Sequence, residues 1–204
     1  MKLIVAAFIL LSAAPLSAQD ATLAAVMGKV SIRSEGEKRY LPAKTGDSLI
    51  YSDVVKTGPN SLAHIIFADG SAVLVKENSR LVLQGTPEKK VVSFSIGEFL
   101  VGIKRKFSTW QSFKVRTPSA VAAVRGTLFW GKVEKDGSVQ FAGLGHTVSV
   151  TAKGKTVLLK AGQKTSVTPG SQPAEPQPHD IPTSYAKTFA VGDSIQGLEA
   201  LLER

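Results

Sequence analysis

Apolar and polar residues alternate with period two along Val92-Ser93-Phe94-Ser95-Ile96, Phe113-Lys114-Val115-Arg116-Thr117, Thr147-Val148-Ser149-Val150-Thr151 and, less cleanly, Val30-Ser31-Ile32-Arg33. This is the pattern of half-buried strands, with Val, Phe and Ile on one face and Ser, Lys, Arg and Thr on the other. Asp69-Gly70 lies between Ile65-Ile66-Phe67 and Val73-Leu74-Val75, and Asp136-Gly137 lies between the segments around Val133 and Val139. Both dipeptides favour the positive φ angles of a two-residue type I′ turn, so they predict hairpin tips, with Lys153-Gly154-Lys155 a looser third. Strands therefore recur roughly every 8–12 residues between about 26 and 168, with no long helix between them. The expected fold is all-β: a single domain of short strands and hairpins, built as a twisted sandwich, a roll or a β-solenoid-like stack.

The pattern changes at both ends. Residues 169–178 hold four prolines and no large apolar side chain, so 169–183 reads as an extended Pro-rich linker. Beyond it, 184–204 is an amphipathic segment. Asp193 is placed to cap a short C-terminal helix from Ser194 to Glu203, with Ile195, Leu198, Leu201 and Leu202 on one face. So short a helix is marginal alone in water and needs a surface to dock on, its own domain or a partner. At the other end, Lys2, the apolar run Leu3 to Leu11, and Leu16-Ser17-Ala18 form the three parts of a signal peptide over residues 1–18. That run is too short for a lasting membrane anchor. A periplasmic or secreted mature chain without a membrane span is the expectation.

Composition narrows the chemistry. The chain has no cysteine, which excludes disulfides, thiolate metal sites and cysteine nucleophiles. Its formal charge is +9, and removal of 1–18 takes away Lys2 and no carboxylate, leaving +8. Such a balance draws anionic partners, among which nucleic acid is not expected outside the cytoplasm. His64, His146 and His179 lack a second ligand at metal spacing, with His64 and His146 read as strand residues. No phosphate-cradling glycine loop and no nucleophile elbow occurs. No metal, cofactor or catalytic residue is assigned, and enzyme activity is not expected.

The stretch Thr117 to Trp130 reads TPSAVAAVRGTLFW. It resembles the FecR domain in its Thr117-Pro118, its small-residue run Ala120 to Ala123, and its Arg125-Gly126-Thr127 followed by Phe129. Upstream, Val26 to Val30, Gly46-Asp47, Val55 to Gly58 and Ala63 to Ser71 resemble the same domain in order, and downstream so does Ala161-Gly162-Gln163. The likeness covers residues 24–168. It implies an all-β periplasmic module. The best-known members belong to single-pass regulators whose cytoplasmic segment restrains a sigma factor and whose periplasmic part senses an outer-membrane iron-uptake receptor. This sequence shows no such N-terminal segment and no spanning helix, so the sigma-restraining activity is not carried over.

The motif also has a physical reading. Pro118 ends a ladder or sits on an edge, and Gly126 permits a bend. Arg125 either ties backbone acceptors together or reads an anionic ligand bidentately. The densest charge cluster is Lys104-Arg105-Lys106, followed by Phe107, Trp110, Lys114 and Arg116. This is either a solvated surface or a grip on a partner. The expected function is an exported binding or interaction module of the bacterial envelope, part of a signalling or scaffold assembly, with an envelope protein as partner. The alternative is a binder of anionic cell-wall polymer, either peptidoglycan or acidic polysaccharide.

Overall fold

The computed structural model describes residues 20–87, 89–103, 112–124 and 127–179. The leader 1–18, the basic cluster 104–106 with Trp110, the pair Arg125 and Gly126, and the C-terminal helix lie outside these residues. Among the described residues there is no helix, and seventeen strands form one open sheet.

The sheet is doubled over into two wings. Wing I runs in hydrogen-bonded order through β4 (Ser48–Leu49), β1 (Ala21–Met27), β6 (Leu62–Phe67), β7 (Ala72–Val75), the second half of β9 (Lys89–Gly102), β12 (Leu128–Val133), β13 (Val139–Gly143), β16 (Gln163–Val167) and β17 (Gln177–Pro178). Wing II runs through β3 (Leu41–Pro42), β2 (Val30–Arg33), β5 (Val54–Thr57), β8 (Arg80–Gly85), the first half of β9, β10 (Ser112–Arg116), β11 (Val121–Val124), β14 (Val148–Ala152) and β15 (Lys155–Leu159). Among the described residues only the β9–β10 pairing is parallel. Strand β9 joins the wings by changing partners halfway along its length.

The inward side chains of both wings form one core. Phe94 stacks on Phe99 across the bend of β9 at 4.0 Å between ring centroids, and Phe67 of wing I meets Phe113 of wing II edge-on at 5.6 Å. A cysteine-free domain relies on this burial, at about 25 cal/mol per Å² of apolar surface, in place of covalent staples. Buried Lys90 joins the wings electrostatically: its Nζ lies 2.9 Å from Asp69 Oδ2 in the β6–β7 turn and donates to Pro87 O. Burial acts to raise the Asp69 carboxyl, but Lys90 and the Ser71 N–H outweigh it and hold it below its ordinary value.

Gly97 makes the bend of β9. Ile96 still pairs with Arg80 in wing II, whereas Gly97 pairs with Val133 in wing I, and its φ is +108°. Ser79 braces the corner, its Oγ accepting from Glu98 N at 3.1 Å and donating to Glu77 O at 3.0 Å.

The turns refine the expected hairpins. Both Asp-Gly tips are hairpins, but neither is type I′, because only Gly70 (φ 78°) and Gly137 (φ 84°) enter the left-handed region. Each aspartate instead accepts the N–H two residues on, Ser71 at 3.0 Å and Ser138 at 2.8 Å. That contact stabilises a type I turn followed by a left-handed glycine. Lys153 and Gly154, at φ 45° and 76°, form the pair with both residues left-handed, as type I′ requires. His146 also departs from expectation, lying exposed in the bend between β13 and β14 and not in a strand.

The Pro-rich stretch runs extended along β16. Thr165 Oγ1 donates to Ala174 O, Ala174 N donates to Ser166 O, and Gln177 and Pro178 pair with Lys164 and Gln163. Wing I also carries a second apolar cluster, Ala25, Leu62, Leu74, Leu100, Trp130 and Ala142, on the face turned away from the common core.

Candidate functional site

The outward face of wing II is built by register. Arg33 stands opposite Val54, Val54 opposite Val82, Val82 opposite Ser93, and Ser93 opposite Arg116. The same row continues through Val121, Thr151 and Thr156. One step along the strands, Ser31, Lys56 and Arg80 stand side by side. On the other side lie Gln84, Val91, Lys114, Ala123 and Ser149.

Five cations, Arg33, Lys56, Arg80, Lys114 and Arg116, thus share one face from β2 to β10. At a strand spacing of about 4.8 Å they span about 19 Å. None of the outward strand positions in these rows is acidic, and the positions between the cations carry hydroxyls and small apolar groups. The inward neighbours Phe113 and Val115 are 3% and 0% exposed, which anchors β10 and fixes Lys114 and Arg116 outward.

Tyr40, from the loop before β3, lies against one end of the face. Lys56 Nζ sits 4.1 Å from its ring centroid and Arg33 Cζ 5.5 Å, both within cation–π range. Burial acts to raise the phenol, but hydrogen bonding to Arg33 and Arg80 and the charge of Lys56 lower it from 10.0 to about 8. Arg80 Nη1 also reaches Ser95 Oγ at 3.4 Å. A group that attracts negative charge onto its own phenol at this end should attract an external anion likewise.

The depressed value has a testable sign. The linked stability is fully present above the ordinary phenol value and is lost as pH falls through about 8. Ultraviolet titration should show one of the chain's three tyrosines ionising near pH 8. Tyr40→Phe should abolish that step and Lys56→Met should move it upward. An unchanged profile in both variants would refute the assignment.

The remaining sequence-nominated residues fall elsewhere. Thr117 closes the β10–β11 turn: its Oγ1 donates to Ala120 O at 2.9 Å and accepts from Ala120 N at 3.1 Å. Pro118 is exposed at that turn, and Thr127 is buried at the start of β12, where its carbonyl accepts from Ile103 N. Lys104, Arg105, Lys106, Trp110, Arg125 and Gly126 lie outside the described residues. Arg33, Tyr40, Lys56 and Arg80 were not nominated from sequence, because three strands and a loop bring them together. No group of three or more His, Asp or Glu able to hold a metal ion occurs among the described residues, nor does a helix long and apolar enough to cross a membrane.

Residues 53–150 match the protein family described as FecR protein. The match is narrower than the expected 24–168, yet β1, β2 and β16 outside it are hydrogen-bonded into the same sheet. No curated protein matches the chain. Two crystal structures of a provisionally assigned anti-sigma factor from Parabacteroides distasonis, at 1.65 and 2.50 Å resolution, resemble it with a TM-score of 0.55 and 17% identity. The alignments cover 68% of this chain and 65% and 64% of that one, so the chain spans about two thirds of its length or slightly less. At such identity the likeness is one of fold.

Proposed function

Because residues 53–150 form a FecR domain, we propose that this chain is a non-catalytic regulatory binding module of the bacterial envelope, exported by its leader, whose wing II face engages an acidic protein surface. The observation that carries this reading is the group of five cations, spread over three neighbouring rows of one sheet face, with no acidic strand position in those rows. Such a face steers association and sets partner choice through complementary charge. The family and the solved relatives favour a signalling role over a structural one. A second reading, an anionic wall polymer, is supported by the hydroxyls of Ser93, Thr151 and Thr156 lying in the same row as Arg33 and Arg116.

The test is charge reversal on the full chain. Lys56→Glu with Arg80→Glu, and separately Lys114→Glu with Arg116→Glu, should each weaken capture of the envelope partner by about a hundredfold at low salt, the two pairs together by more. Lys114 and Arg116 are exposed, so that pair should leave the melting temperature nearly unchanged. Saturable capture of one protein supports the first reading. Retention on purified sacculi that collapses with salt, with no protein captured, supports the second. Undiminished binding in both variants would overturn the role of the face.

A further inference from the structure

The outward face of wing I is an apolar stripe. Ala25, His64, Leu74, Leu100, Trp130 and Ala142 stand opposite one another in turn across six strands, about 24 Å at the usual strand spacing. Leu62 joins them from the next row, beside Met27. One outward face of a sheet ordinarily leaves such side chains open to water. Here Leu62 is 0% exposed and Leu74 and Leu100 are each 1% exposed, as buried as the common core. Every member of the cluster belongs to wing I, so among the described residues no second layer contributes to it.

We propose that residues 184–204 of the same chain dock across this stripe as an amphipathic helix. The course of the chain leads there. After β17 is pinned to β16 at the edge of wing I, His179 N donates to Gly162 O and its Nε2 lies 3.0 Å from Gly143 O. Gly143 directly follows Ala142, the far end of the stripe. The chain therefore leaves the described fold beside the surface to be covered. The 14 residues from Asp180 to Asp193 reach up to about 46 Å when extended, enough to cross the whole stripe. A helix from Ser194 to Glu203 is about 15 Å long. Ile195, Leu198, Leu201 and Leu202 fall on one side of it and match the stripe in character. Docking also accounts for a helix too short to persist alone.

Trp130 reports on the cover directly. It lies in the stripe, 9% exposed, with Nε1 donating to Glu98 Oε1 at 2.9 Å. The chain has two tryptophans, so Trp110→Phe leaves Trp130 as the sole emitter. In that background, Leu198→Asp with Leu201→Asp in the full chain should shift the emission to longer wavelength and raise acrylamide quenching severalfold, with the β-sheet circular dichroism retained. Ala200→Lys, on the opposite side of the helix, should change neither. If the double variant does not fold, hydrogen exchange on the unaltered chain decides: slow amides across 195–202 support docking, and free exchange there overturns it. Protection of Trp130 that persists in a folded double variant also overturns it. So does protection lost on dilution, which marks a second copy as the cover, or on removal of residues 1–18, which marks the leader.

Discussion

Gly97→Ala should destabilise the chain by roughly 3–5 kcal/mol, and the reason lies at the hinge between the wings. A φ of +108° is one that L side chains rarely adopt, and a Cβ at this position would lie 2.5 Å from Ser79 Cα. Ser79 is buried and cannot retreat, since its N–H donates to Thr57 Oγ1 at 3.0 Å and its Oγ holds Glu98 N. Backbone strain and overpacking therefore add. For a domain of this size the melting temperature should fall by roughly 10–15 °C. Gly36 provides the control, because its φ is +77° and nothing lies within 4 Å of an added Cβ. Gly36→Ala should cost only the strain, about 1 kcal/mol. Equal losses in thermal melts of the two variants would show that β9 is not sterically locked at the corner.

The same corner shows what was legible in the chain beforehand. Alternation identifies Val92 to Ile96 as a strand, and it continues through Phe99 and Val101 once Gly97 is passed, but it does not say that the strand changes wings there. That information resides in contacts with Ser79, a residue distant in sequence. The hairpin tips are local and therefore readable. Even so, the turn type at Asp69-Gly70 depends on whether the aspartate side chain or a left-handed backbone satisfies the next N–H. Along β6, Leu62-Ala63 and Ile65-Ile66 are adjacent apolar pairs, as are Val73-Leu74 in β7, which is the mark of strands buried on both sides. This was the available signal for the apolar stripe.

The basic face was half legible for a related reason. Lys114 and Arg116 alternate within one strand, so a period-two reading finds them. Arg33, Lys56 and Arg80 each occur once per strand, and only the registers of β2, β5 and β8 bring them onto one face, Lys56 opposite Arg80 and Arg33 one step along. Each does oppose an inward apolar neighbour, Ile32, Val55 and Leu81, which is the local trace of that arrangement. The two wings thus differ outwardly: wing I carries a buried apolar stripe, whereas wing II carries five cations, of which Lys114 and Arg116 are exposed. On the proposed reading, a partner drawn by charge would meet wing II and leave the apolar stripe uncontacted.

Phe99→Ala should also cost about 3–5 kcal/mol, the range for emptying a fully buried aromatic site. The Phe99 ring stacks on Phe94 and meets Phe129 and Phe141 with centroids 6.3 and 6.4 Å away, so its loss loosens both wings at once. Gly131 makes the prediction sharper. It stands opposite Phe99 across β9 and β12, and a Cβ added there would lie 2.6 Å from Phe99 Cε2. Gly131→Ala alone should therefore cost about 1–3 kcal/mol by overpacking. In the Phe99→Ala background the same methyl enters vacated space and should cost almost nothing or restore some stability. The double variant should thus be more stable than the sum of the single losses by about 1–3 kcal/mol, measured by denaturant unfolding. Simple additivity would mean that the ring is not what excludes a side chain from position 131. Position 131 is glycine, on this account, because the common core is filled to the backbone where the two wings meet.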